Sequence, residues 1–156
     1  MDLAPTRIGL DMGGSGARAA SVDLEEDGWF RCGELREISW DDDFRPVPFH
    51  EQLSSPGETT AEEEACARRR VGRLAELVVA CAEGWPFSLN VAAPGLPTQD
   101  RAGILAWRNG PRSPTLLVEL RREFDAKDVT LLGGATRLRS DAVACAMGEG
   151  GARAGG

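Results

Sequence analysis

The stretch IGLDMGGSGAR, from Ile8 to Arg18, runs a short apolar segment into an acidic residue and then into four small ones, Gly13, Gly14, Ser15 and Gly16. Arg7 to Asp11 reads as a strand that stops at the glycine pair, and Ala17 to Val22 as its partner returning from the turn, so a β-hairpin is expected at the N-terminus. Glycines let a backbone approach a ligand closely and adopt positive φ, so successive N–H groups can point at the oxygens of a phosphate, with the Ser15 hydroxyl as a further donor. Asp11 would repel a phosphate directly, but it can hold the hydration shell of a magnesium ion that bridges phosphates. Gly14, Gly16 and Ala19 also match the dinucleotide fingerprint, although that motif needs a long helix right after the glycines and the Asp27-Gly28 turn arrives too soon for one. A plain hairpin turn explains the glycines equally well.

Outward from this stretch, Trp29 to Trp40 alternates loosely and reads as a third strand, while Asp41 to Gly57, with Pro46, Pro48 and Pro56, reads as a loop. The acidic run Asp41 to Asp43 is expected to be solvated, because consecutive residues cannot all face one ion. Thr60 and Glu63 have capping-box spacing, and Ala67, Val71, Leu74, Val78 and Cys81 then recur at helical intervals up to Gly84. The neighbouring run Arg68, Arg69, Arg70 is expected on the solvated face of that helix. Ser88 to Ala93 reads as a buried strand closed by Pro94-Gly95. Ser113-Pro114 starts a second helix through Phe124, with Leu116, Leu117 and Leu120 inward. Val129 to Leu132 reads as another strand, and Leu138 to Met147 as a final helical stretch before the closing glycines. Helices placed between strands argue for an α/β fold with a mixed central sheet flanked by helices.

At 156 residues with 42% hydrophobic content the chain fits one domain, able to bury a core without disulfides or metal. A net charge of −7 and a pI near 4.8 disfavour an electrostatic grip on nucleic acid. Cys32, Cys66, Cys81 and Cys145 have no CxxC spacing and His50 is the only histidine, so no zinc cluster is expected. No apolar run approaches membrane-spanning length and no cleavable leader opens the sequence, so a cytoplasmic protein with reduced thiols and no membrane partner is expected.

Three distant segments together resemble the ROK family of sugar kinases and repressors. Arg7 to Asp23 is similar to its first phosphate motif. VAAPGLPTQDRAGILAWRNGP, from Val91 to Pro111, is similar to its strand, Pro-Gly loop and Asn-x-Pro element. SDAVACAMGEG, from Ser140 to Gly150, is similar to the segment with the catalytic Asp, an Ala-rich helix and a closing Gly-Glu. The resemblance implies a ribonuclease H-like, actin-like ATPase domain and ATP-dependent phosphorylation of a hexose or amino sugar, with ATP and Mg2+ as cofactors. It implies that Asp11 positions magnesium through water, that Gly13, Gly14 and Ser15 meet the ATP phosphates, that Gly95 and Asn109 contact sugar hydroxyls, and that Asp141 is the general base. A sugar hydroxyl attacking a γ-phosphoryl group needs such a carboxylate to orient it and accept its proton. At a helix N-terminus the carboxylate would stay ionised. Read alone, Asp141 is an ordinary N-cap and Asn109-Gly110 an ordinary turn. Ser140 stands where the family usually has Asn.

Family members are roughly twice this length, with a second domain that closes over the nucleotide. The expected organisation is therefore a domain over 1–150 and a glycine-rich tail over 151–156 that starts a crossover. The nucleotide would be held from one side only, so negligible turnover is expected of these 156 residues alone, and a homodimer is one way to cover the apolar surface left open. The alternative is a non-catalytic sugar-binding or sugar-sensing protein. Repressors of this type place a DNA-binding element ahead of the first strand, where only six residues precede Arg7.

Overall fold

A computed structural model describes residues 6–133 and 138–140 of the chain. Strand β1 (Thr6–Met12) turns at Gly14-Ser15 into β2 (Gly16–Leu24), pairing antiparallel in a register that sets Asp11 opposite Arg18 and Met12 opposite Ala17. The expected third strand is two short ones, β3 (Phe30–Cys32) and β4 (Arg36–Ser39), both antiparallel to the same edge of β2. The break falls at Gly33, whose N–H reaches the Ser21 carbonyl at 2.9 Å, so close that a side chain there would strike the Ser21 hydroxyl. The segment read as a loop contains a short helix, α1 (Phe49–Ser54), begun at Pro48; a proline just before a first turn costs nothing because no N–H is needed there.

Helix α2 (Ala61–Ala82) opens with the expected capping box. The Glu63 N–H donates to Thr60 Oγ1 and the Thr60 N–H to Glu63 Oε1, both at 3.1 Å. It ends through two left-handed residues, Glu83 and Gly84. Strand β5 (Phe87–Ala93) lies parallel to β1, and the buried Ile8 and Leu10 stand beside Leu89 and Val91. A small hairpin, β6 (Leu96–Pro97) and β7 (Ile104–Ala106), leads to α3 (Leu116–Ala126). Leu116, Leu120 and Phe124 of α3 join Leu74 and Val78 of α2 in one core against the buried face of the sheet, with Phe87 and Phe124 edge to face at 5.2 Å.

Two expectations fail near the C-terminus. Val129 to Leu132 forms only a bridge, Leu131 beside Phe87, and is followed by Gly133 at φ +90°. Leu138 to Ser140 is not helical but a strand, β8 (Leu138–Ser140), parallel to β5 with Leu138 buried beside Val91. Tertiary pairing overrides the helical spacing there. The sheet order is β3-β2-β1-β5-β8 with β4 also on β2, a mixed sheet as expected; among the described residues, α2 and α3 pack against one of its faces. Among the described residues, no helix is long and apolar enough to cross a membrane.

Candidate functional site

The Gly13 to Gly16 turn closes with the Gly13 N–H on the Gly16 carbonyl at 2.8 Å. None of its glycines has positive φ, which corrects the expected reason for their presence. Closeness is what they supply. A Cβ at Gly16 would run into the Ile38 carbonyl, and one at Gly14 would come 3.1 Å from the Cβ of Asn109. Two of the turn's carbonyls are held by Trp40, whose indole Nε1 donates to Gly13 O and whose N–H donates to Ser15 O, each at 3.0 Å. Among the described residues the N–H groups of Gly14 and Ser15 have no acceptor, and both residues are exposed. Two amides and one hydroxyl are thus presented at the hairpin tip.

Asp11 is half-buried on β1, with Arg18 Nη2 at 2.8 Å from its carboxylate across the hairpin. The pair is well exposed on both sides, so it contributes little stability and is easily exchanged. Asp11, Gly13, Ser15, Arg18, Glu37 and Ser39 line a polar cleft of about 320 Å³. Its oxygen donors suit a hydrated magnesium ion, which uses one or two carboxylates and keeps several waters. Among the described residues no cluster of three or more His, Cys, Asp or Glu side chains could cage a metal, so any magnesium held there would rely on water and phosphate oxygens. Glu37 on β4 was not anticipated, because an exposed acidic residue on an edge strand carries no signal in the sequence.

Gly95 follows β5 at φ +79°, where a Cβ would drive into the Ala106 carbonyl; here the glycine is required. Asn109 is exposed and sits in a loop clamped on both sides by buried polar side chains. Before it, Gln52 accepts from the Trp107 N–H at 2.7 Å and donates to the Trp107 carbonyl at 2.9 Å and the Val47 carbonyl at 2.8 Å. After it, the fully buried Glu63 accepts from the Arg112 N–H at 3.1 Å and Nε at 2.8 Å, and from Nη2 as well. Burial opposes ionisation of Glu63, but these bonds outweigh it and hold its carboxyl below the ordinary range. In turn, Glu63 keeps the Arg112 guanidinium protonated to still higher pH. None of these clamps was foreseen beyond the capping role of Glu63.

Two other charged runs also depart from expectation. Asp42 is not a solvated loop residue, because Arg70 holds its carboxylate with two bonds, at 2.9 and 2.8 Å, and keeps it below the usual carboxylate range. Arg70 is buried although Arg68 and Arg69 beside it are exposed.

Asp141 lies outside the described residues, but the strand leading to it does not. Asp11 pairs with Ala92, and Ala92 with Arg139, so Asp11 and Arg139 occupy one row across β1, β5 and β8. Two strand spacings separate them, about 10 Å. Ser140 ends β8 beside Ala93, two residues before Gly95. The glycine turn, the Pro94-Gly95 loop and the exit toward Asp141 therefore share the carboxyl ends of the parallel strands, where ligands bind in open α/β sheets.

The chain has the fold seen in sugar kinases. It is similar to a ROK family glucokinase from Streptomyces griseus, solved in complex with glucose and AMPPNP, at 22% identity and a TM-score of 0.58 over 92% of this chain and 36% of that one. It is similar also to a candidate sugar kinase from Cytophaga hutchinsonii, at 16% identity and a TM-score of 0.52 over 92% of this chain and 38% of that one. No protein-family model matches the chain, and no curated protein sequence does. The chain spans little more than a third of the length of these structures, and at these identities the likeness establishes the sugar-kinase fold alone.

Proposed function

We propose that the chain is the nucleotide-phosphate and sugar-binding part of an ATP-dependent carbohydrate kinase of ROK type, acting on a hexose or amino sugar. The observation that carries this reading is the close approach of the glycine turn to the Asn109 loop, near enough that a Cβ on Gly14 would press on Asn109, at the carboxyl ends of β1, β5 and β8. A phosphoryl donor and a hydroxyl acceptor must lie side by side, and these are the two segments the family resemblance gives to each. In this reading Gly14 and Ser15 donate to the ATP phosphates from their open N–H groups and Gly13 shapes the turn. Asp11 orients magnesium-bound water, and Asn109 and the Gly95 loop receive sugar hydroxyls. Magnesium, when bound, neutralises charge on the phosphates. Asp141 takes the proton of the attacking hydroxyl as its oxygen bonds to the γ-phosphorus and the bond to the β-phosphate oxygen breaks, releasing ADP.

The domain is proposed to span 1–150, with 151–156 as a glycine-rich tail that starts a crossover; turnover by the 156 residues alone is then negligible, because phosphoryl transfer needs a second domain to close over the nucleotide and exclude water. One observation favours a second reading. Arg18 already neutralises Asp11, as would suit a protein that keeps its sugar site and has lost ATP. Separate calorimetric titrations with glucose and with Mg-ATP decide between them. Heat from both, with Asn109→Ala cutting sugar affinity about tenfold, the loss of a hydrogen bond to a polar ligand, supports the kinase. Sugar heat alone supports the second reading, and heat from neither contradicts both.

A further inference from the structure

Arg70 and Asp42 come from two charged runs that have no part in the site as described so far, yet they meet between its two halves. The Arg70 side chain is 8% exposed and that of Asp42 20%. The Arg70 guanidinium lies 4.7 Å from the centre of the Trp40 ring, 5.9 Å from that of Trp107 and 6.0 Å from that of Phe44. Its Nε and Nη2 are taken by Asp42. Among the described residues Nη1 is buried with no hydrogen-bond acceptor, so the surrounding ring faces are what remains to solvate the cation on that side.

The two tryptophans belong to different arms. Trp40 holds two carbonyls of the glycine turn, Gly13 O through its indole and Ser15 O through its backbone. Trp107 is fixed by Gln52 and stands two residues before Asn109. Arg73, one turn further along α2, donates to the Ser39 and Trp40 carbonyls and ties the first arm to the same helix. A buried cation is an expensive way to fill space, and an apolar side chain of similar volume would pack there at lower cost. What only a guanidinium supplies is a flat fork for one carboxylate together with faces that stack on rings.

We propose that Arg70, seated by Asp42, is a positioning residue that sets the spacing between the Gly13 to Gly16 turn and the Asn109 loop, so that the two move as one unit. The functional part of this inference rests on reading those segments as phosphate and sugar half-sites; the mechanical part does not.

Amide exchange tests the mechanical part on the chain as it stands. The reporters are the bonded N–H groups of Gly13 and Trp40 on one arm and of Trp107 on the other, with Leu74 to Val78 and Leu120 to Phe124 as core references. In Arg70→Lys, which keeps the charge but loses the fork, exchange should rise about tenfold on both arms while the references hold, and Asp42→Asn should move both arms in the same direction. A rise on one arm only, a uniform rise that includes the references, or no change overturns the proposal. The lysine variant keeps the cation in place; should it fail to fold, Asp42→Asn, at a partly exposed site, decides by the same criteria.

Ligand coupling tests the functional part. Glucose should tighten Mg-ATP binding by about threefold or more in the wild type, a factor that falls to one in Arg70→Lys. Independent binding in the wild type, or coupling unchanged in the variant, overturns it. If the wild type binds neither ligand, the kinase reading and the functional part fail together, while the exchange result still decides the mechanical part.

Discussion

Gly95 and Gly28 sit at nearly the same φ, +79° and +88°, yet they should not tolerate substitution equally. At Gly28 nothing lies within 4 Å of an added Cβ, so Gly28→Ala bears only the left-handed backbone penalty, about 1 kcal/mol. At Gly95 the same penalty is joined by collision with the Ala106 carbonyl, and Gly95→Ala should cost on the order of 3 kcal/mol. Paired thermal melts check this, with a clearly larger fall in Tm expected for Gly95→Ala. Sequence could mark Gly95 by its proline neighbour, but not the carbonyl across from it. The same limit explains the glycine turn. Four small residues were visible there, whereas their use in letting Ile38 and Asn109 approach depends on segments far along the chain. The burial of Arg70 is legible in the helical phase of α2. The residue follows Glu63, Cys66 and Ala67 on the stripe that continues to Leu74 and Leu77, and only the company of Arg68 and Arg69 disguised its phase.

At the scale of elements, strands and helices with a strong local signal were readable. The β1-β2 hairpin, α2 from its capping box, β5 as a buried strand closed by Pro94-Gly95 and the apolar stripe of α3 all stand within a few residues of expectation. What failed was set by partners. β8 is a strand because it lies along β5, and Val129 to Leu132 is not one because the chain leaves Phe87 after a single bridge. The ion pairs anchored on α2 also carry a pH dependence. Glu63 and Asp42 both have depressed folded-state pKa values, so each contributes stability that is fully present above its unfolded pKa and is lost as pH falls through the lower, folded one. Stability should therefore decline as pH drops below about 4.5, near the ordinary carboxylate values. Denaturant melts at descending pH should show this, with a shallower decline in Glu63→Gln, less stable at neutral pH because Arg112 loses a buried charge partner.

For the whole molecule, the sheet decides where chemistry can occur. Three segments far apart in sequence reach one end of it because β1, β5 and β8 run parallel, in a register that puts Asp11 and Arg139 in one row. That convergence was expected only from the resemblance of the segments to a family, since spacing along a chain does not say which strand ends share an edge. The clamps on the Asn109 loop, and the cation between the two arms, were illegible for the same reason. The most direct test is a heteronuclear NMR titration of the chain with Mg-AMPPNP and with glucose. The account predicts that the nucleotide moves the Gly14 and Ser15 amides, that glucose moves the Asn109 side-chain amide, and that each sharpens the response to the other. Shifts gathered instead on the opposite edge of the sheet, around β3, or no shifts from either ligand at saturating concentration, would contradict it.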